Sequence, residues 1–275
     1  MYGFPRQCRL SGLSALLLLL IFPRAPLLAE PLLDPNCLQA CPKAQSENLL
    51  VRRESHTLSN NAATKFADWV AYEVAPADIG KSKKRVWRAD PEIPPEETLE
   101  PADYKGAHKA LKTDRGHQAP LASFSNAPDW ATTNYLSNIT PQKSALNQGP
   151  WKNLESAVRT LAKSDAGTVH VLTGPLYEHE MPALPEADEP HRVPSGYWKI
   201  VLLTREGTVL AAGFVLDQET SRRADYCDGR HDVSVSEIAR RSGLVFAPGT
   251  VSAPAGDLRT RLGCTAPVSV GALPD

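Results

Sequence analysis

The chain has 275 residues, 42% hydrophobic and 22% charged, the make-up of an ordinary soluble globular protein with room for one large domain or two small ones. Lysine and arginine number 30 against 31 aspartate and glutamate, a formal net charge of −1. That balance excludes capture of an anionic partner by overall charge, so any such partner needs a local basic patch.

Residues 1–29 read as a secretory signal. Arg6 and Arg9 precede the apolar run 13–21, and "FPRAPLLAE" offers cleavage after Ala29. The run is too short to span a bilayer, and no later segment could cross one. An uncleaved anchor is the alternative. Cleavage would remove three arginines and no acids, leaving 27 basic against 31 acidic residues, net −4. It would also remove Cys8, leaving Cys37, Cys41, Cys227 and Cys264. An even count in an exported chain points to two disulfides. Local pairing, 37–41 and 227–264, is the simplest of three connectivities. A four-thiolate zinc site competes with it, without a C-x-x-C to support it.

Residues 30 to about 60 read as irregular and polar. "KFADWVAYEVA", 65–75, reads as a strand with Val70, Tyr72 and Val74 on one face. "KSKKRVWRADP", 81–91, is strongly basic, and "PEIPPEETLEPADY" is a proline-rich acidic loop. Residues 111–122 predict a loop running into a short strand. "PWKNLESAVRTLAKSDAG" predicts a helix with Pro150 first, a buried stripe of Trp151, Leu154, Val158 and Leu161, and Gly167 ending it. "TVHVLTGPLY" follows as a buried strand. "YWKIVLLT" and "TVLAAGFVLD" predict two strands joined by the turn "REG". Ser234 and Glu237 form a capping-box pattern opening a second helix that Gly243 closes. "LVFAPG" predicts a last short strand, and residues 265–275 a loose tail. The mixed order points to a single α+β domain over 30–264.

Several chemistries are missing from the sequence. There is no G-x-S-x-G, no H-E-x-x-H, no P-loop and no G-x-G-x-x-G. Histidines 56, 108, 170, 179, 191 and 231 lack metal-ligand spacing. What stands out is His117 in "KTDRGHQAPLA", close to Asp114 and Arg115. An amide-rich block follows it, with Asn134, Asn138, Gln142, Asn147 and Gln148. Amide oxygens can hold a hard cation such as Mg2+, which needs few protein ligands. Glu155 and Arg159, four apart on the predicted helix, could be a surface ion pair or part of a site.

"DRGHQAPLASF" followed by "TTNYLSNITPQKSALNQGPWKNLE" resembles the DNA/RNA non-specific endonucleases, a family of ββα-metal, or His-Me finger, nucleases. The likeness runs from about Cys37 to Cys264 and includes "VLTGPLYE", "VPSGYWKI" and both cysteine pairs. It implies an α+β fold of mainly antiparallel sheet with a ββα-metal finger. It implies hydrolysis of DNA and RNA, independent of sequence, to 5′-phosphorylated products, with Mg2+ as cofactor and Mn2+ as a substitute.

Residue by residue, the resemblance makes His117 the general base and Asn147 the direct metal ligand. Glu155 becomes the acid that holds the ion's water ligands, and Arg85 the arginine that stabilises the phosphate. Lys83, Lys84 and Arg88 are close rivals to Arg85. Arg115, Arg159 and Asp114 become phosphate-side or positioning groups, and Asn138 an active-site asparagine. Ala145 departs from the usual polar residue at its position but carries no role. A homodimer is known in the family. A neutral imidazole near its ordinary pKa of about 6.5 would suit a base. Two other functions compete: an inactive nucleic-acid-binding relative, and a phosphodiesterase for another phosphate ester. The signal implies a secreted or periplasmic location.

Overall fold

The computed structural model describes residues 1–3, 34–164 and 167–265. The signal expected over 1–29 and the tail expected over 265–275 lie almost wholly outside those residues. Two compact units divide the chain, 1–32 and 33–275, and every element described below belongs to the second. Among the described residues no helix is long and apolar enough to cross a membrane.

Six antiparallel strands form the main sheet. They are β1 (Leu49–Arg52), β2 (Thr57–Asn61), β3 (Phe66–Glu73), β6 (Thr168–Leu176), β7 (Gly196–Arg205) and β8 (Thr208–Asp217), adjacent in that order. Between β3 and β6 run α1 (Ala107–Leu111), β4 (Thr113–His117), α2 (Leu121–Phe124), β5 (Ile139–Lys143), α3 (Ser144–Leu146) and α4 (Lys152–Lys163). β4 and β5 pair as a separate antiparallel ribbon. After β8 come α5 (Val235–Ser242), α6 (Pro248–Ser252) and α7 (Leu258–Arg261).

Period-two alternation builds a core on both sheet faces. Val70, Tyr72 and Val74 point one way with Val171, Tyr197, Val201 and Leu203, and meet Trp151, Leu154, Val158 and Leu161 of α4. Trp69, Ala71, Leu172, Trp198, Ile200 and Leu202 point the other way, against Val235 and Ile238 of α5. The result is an α+β molecule with helices on both faces of an antiparallel sheet. The ribbon β4–β5 and α4 form the ββα finger at its side.

Several elements differ from the sequence reading. Residues 49–61 hold two strands where irregular chain was expected. Polar residues masked their pattern: Asn60 is buried, and its Nδ2 donates to the Glu97 carbonyl at 3.0 Å. The D-R-G-H motif is itself strand β4, and the residues after it turn into α2. Pro150 sits within a π-helical turn, Asn147–Trp151, just before α4. α4 ends at Lys163, not Gly167, because Ser164 satisfies the Leu161 carbonyl with its N–H at 3.0 Å and its hydroxyl at 2.7 Å. "LVFAPG" contributes only a bridge from Val245 to Lys43, and Pro248 then opens α6. Ser234 and Gly243 cap α5 as expected, but the Glu237 carboxylate turns to Arg240 at 2.6 Å and leaves the capping box half made.

The cysteines pair locally, Cys37 with Cys41 and Cys227 with Cys264. That removes the zinc alternative, since no free thiol remains among these four. Two disulfides fit a compartment where thiols oxidise.

Candidate active site

A cleft of about 610 Å3 opens beside the ribbon, and all the residues lining it fall between Arg85 and Arg159. They include Arg85, Asp114, Arg115, His117, Asn147, Glu155 and Arg159. Seven of the expected site residues therefore meet in one place.

β4 supplies the first group. Gly116 is required there by close approach: a Cβ would stand 2.6 Å from both Cβ and Oε1 of buried Gln142 on β5. Arg115 and His117, two apart, share the face that Trp87 covers. The His117 ring lies 5.3 Å from the Trp87 ring, and the Arg115 guanidinium 5.6 Å from it and 5.1 Å from that of Tyr104. His117 Nε2 is 3.2 Å from Oδ1 of Asn134. With a carbonyl oxygen as its neighbour, Nε2 holds the proton and Nδ1 the lone pair. Burial, opposed by the Asn134 bond and aided by Arg85, pushes the His117 pKa down to about 4. The ring is therefore neutral well below the ordinary histidine range.

Asp114, on the same strand, is a hub. Its Oδ1 accepts from Ser144 Oγ at 2.7 Å, and its Oδ2 from Asn147 Nδ2 at 2.9 Å and Gln148 Nε2 at 2.7 Å. Burial raises its pKa, but these three bonds outweigh burial and hold it below the usual carboxylate range. Because Asn147 gives its amide N–H to Asp114, its Oδ1 is turned away from the carboxylate and free to accept a cation. The chain approaches itself closely here: a Cβ on Gly149 would come 2.5 Å from the Arg222 carbonyl. That approach lets Arg222 Nη1 donate to Gln148 Oε1 at 2.9 Å.

α4 supplies Glu155 and Arg159 from one side of the helix. Burial raises the Glu155 pKa, against the pull of Lys199, Arg159 and Arg85. Arg159 Nη1 is buried without a hydrogen-bond partner, a donor that a phosphate oxygen would satisfy. The two residues belong to the cleft and are not a solvated surface pair.

Arg85 is the member of its basic run that lines the cleft. Its rivals Lys83, Lys84 and Arg88 are exposed and do not line the cleft, and Lys83 lies 5.3 Å from the Trp130 ring. Asn138 is fully buried and does not line the cleft. Its Oδ1 accepts from the Ala119 N–H at 2.8 Å, and its Nδ2 donates to the carbonyls of Ala119 and Thr133 at 2.9 Å. It clamps the chain after His117 to the segment carrying Asn134, so it acts on the fold of the site and not on a ligand.

The sequence reading did not single out Asn134, Trp87, Tyr104 or Lys199. Asn134 carried a signal, as a member of the amide block. The aromatic residues carried none, because their roles depend on the fold of residues 81–107.

The family model for DNA/RNA non-specific endonuclease matches residues 36–253. The nuclease of Serratia marcescens is 48% identical over 216 residues, covering 78% of this chain and 80% of that protein. Human mitochondrial endonuclease G is 31% identical over 225 residues, covering 76% of this chain and 73% of that protein. A chain of the solved EndoG/EndoGI complex superposes with a TM-score of 0.64 at 22% identity, covering 75% of this chain and 90% of that one, and so shares the fold. With a family model spanning most of its length and a relative this similar, the chain belongs to the DNA/RNA non-specific endonucleases and is an enzyme that cuts nucleic acid.

Proposed function

We propose that this endonuclease is a secreted or periplasmic, Mg2+-dependent enzyme that hydrolyses DNA and RNA without regard to sequence and leaves 5′-phosphates. Divalent-metal dependence comes with the family; Mg2+ as the ion is our assignment. The carrying observation is the Asp114–Asn147 bond at 2.9 Å, which engages the amide N–H and leaves the carbonyl oxygen of this cleft-lining residue for a cation. A neutral amide oxygen with a carboxylate nearby is a hard donor set of the kind Mg2+ accepts. Asn147 would hold the ion directly and Glu155 through water. When bound, the ion neutralises charge on the phosphate and on the departing oxygen.

The remaining steps belong to side chains. His117 takes a proton from the attacking water at Nδ1 while Asn134 keeps the ring oriented through Nε2. Arg85 and Arg159 donate to phosphate oxygens as charge builds on them, a contact of a kind that contributes about 3 kcal/mol or more. Arg115, held by Trp87, Tyr104 and the Pro101 carbonyl at 3.0 Å, supports the phosphate side. The exposed run of Lys81, Lys83, Lys84, Arg85 and Arg88 would grip backbone phosphates, which carry no sequence information. Affinity should then fall as salt rises.

The test uses plasmid and total RNA, each with Mg2+ and with EDTA. Both should be degraded in Mg2+ and spared in EDTA, with 5′-phosphate ends. Survival of either in Mg2+ would sink the reading. His117→Ala should lower kcat by about 10^2 to 10^4 while leaving the melting temperature nearly unchanged. Near-normal turnover would remove His117 from the role of base.

A further inference from the structure

From Lys81 to Ala89 every residue is exposed except Trp87. That ring packs against the apolar cluster of Phe66, Leu99, Tyr104 and Leu136, and so anchors the basic run to the body of the protein. The backbone is tied down one residue later. The Arg88 N–H donates to the Asn134 carbonyl at 3.4 Å, and the Arg88 carbonyl accepts from the Leu136 N–H at 2.9 Å. Trp87 is thus fastened to the same stretch whose Asn134 side chain bonds His117 Nε2.

The imidazole needs a second constraint. One hydrogen bond at Nε2 fixes one atom of the ring, and the outer torsion of a histidine side chain has broad wells. The plane can therefore swing about that bond and carry Nδ1 with it. Trp87 closes the space for that swing. Its ring centre lies 5.3 Å from that of His117 with the planes 43° apart, the contact distance of an aromatic pair. The indole is braced in turn by the Arg115 guanidinium, 5.6 Å from it and 5.1 Å from the Tyr104 ring. Trp87, Arg115 and His117 all line the cleft.

We infer that Trp87 is a positioning residue of the nuclease site: its indole holds the plane of the His117 imidazole so that Nδ1 stays aimed at the attacking water. This rests on the reading of His117 as the base given above. A residue that acts in this way governs turnover and leaves affinity alone. Stacking of a nucleobase on the indole is the competing role, and it would show in KM.

The test is Trp87→Leu in the full chain, assayed at saturating Mg2+. Leucine keeps an apolar contact with the cluster and removes the aromatic plane. Turnover should fall about 10- to 100-fold, the scale of loss when a reacting group is misplaced by about 1 Å. KM for DNA should stay within about 2-fold of wild type, and the half-saturating Mg2+ concentration should not move. Trp87→Phe, which restores an aromatic face, should recover most of the lost turnover. Wild-type turnover in Trp87→Leu overturns the proposal. A loss carried wholly by KM overturns it too, and makes the indole a stacking surface for bases. Trp87→Phe no better than Trp87→Leu also overturns it, as does loss of the melting transition in both variants, which marks the ring as purely structural.

A double-mutant cycle separates the layers. Trp87→Leu should cost little more once His117→Ala has removed the imidazole, and the same fold loss in both backgrounds overturns the coupling. A His117→Ala enzyme as active as wild type would instead sink the role of His117 itself.

Discussion

Asp114 decides which end of an amide faces the cation. Asparagine can present either a carbonyl or an N–H, and only the carboxylate of Asp114 fixes the choice for Asn147. Asp114→Ala would remove the acceptor and leave the Asn147 amide free to turn its N–H into the cleft. The half-saturating Mg2+ concentration is expected to rise about 10- to 100-fold, the usual effect of losing an outer partner of a ligand. Titrating activity against Mg2+ checks it, and an unchanged midpoint would deny Asp114 that role. At this scale the sequence was informative for residues whose chemistry is fixed by type and spacing. His117, Asn147 and Glu155 all reached the cleft. It gave no sign that the Asn138 amide would be taken up by backbone groups of Ala119 and Thr133. It was silent on Lys199, because "YWKIVLLT" reads as a strand without saying which face a helix will cover.

The finger is held by close backbone contacts as much as by side chains. Gly149 has φ −107° and ψ −116°, outside helical values, between α3 and α4. Its hydrogen faces the Arg222 carbonyl, where a methyl carbon would stand at 2.5 Å. Backbone cannot yield as a flexible side chain can. Gly149→Ala is therefore expected to cost about 1–3 kcal/mol in a urea melt and to lower activity by displacing Asn147 and Gln148. A variant as stable and active as wild type would show that the turn relaxes freely. The sequence hinted at this turn only through "QGP". Strong periodicity gave α4, α5 and the strands of residues 168–217. The first two strands stayed hidden because their inward residues include Ser59 and Asn60.

The molecule as a whole stores a pH sensitivity behind its site. His56 is completely buried, bonded to Ser55 Oγ at 2.9 Å, with Arg53 beside it and Asp90 accepting two bonds from Arg53 at 2.7 and 2.6 Å. Burial, then Arg53 and His117, lower the His56 pKa to about 3. The unfolded chain takes up a proton near the ordinary value of about 6.5, while the folded one does not until far lower pH. Unfolded protein thus binds more protons through that window, and stability must fall as pH drops from 6.5 toward 3. His56 alone contributes about 1.4 kcal/mol per pH unit there. Urea midpoints at pH 7, 6 and 5 should show that decline, with a shallower one in His56→Gln. Equal slopes in both would mean that His56 takes up its proton in the fold.

Every group lining the cleft comes from residues 85–159, while the sheet partners on β6, β7 and β8 lie outside that stretch. The stretch is, in effect, a cassette of reagents resting on a foundation it does not encode. Grafted alone onto another scaffold, it would bring the base, the amide and the arginines. It would leave behind Val171, Tyr197, Val201 and Leu203, the strand residues that α4 packs on. A transplant that also restored an apolar face of that shape should outperform one that did not.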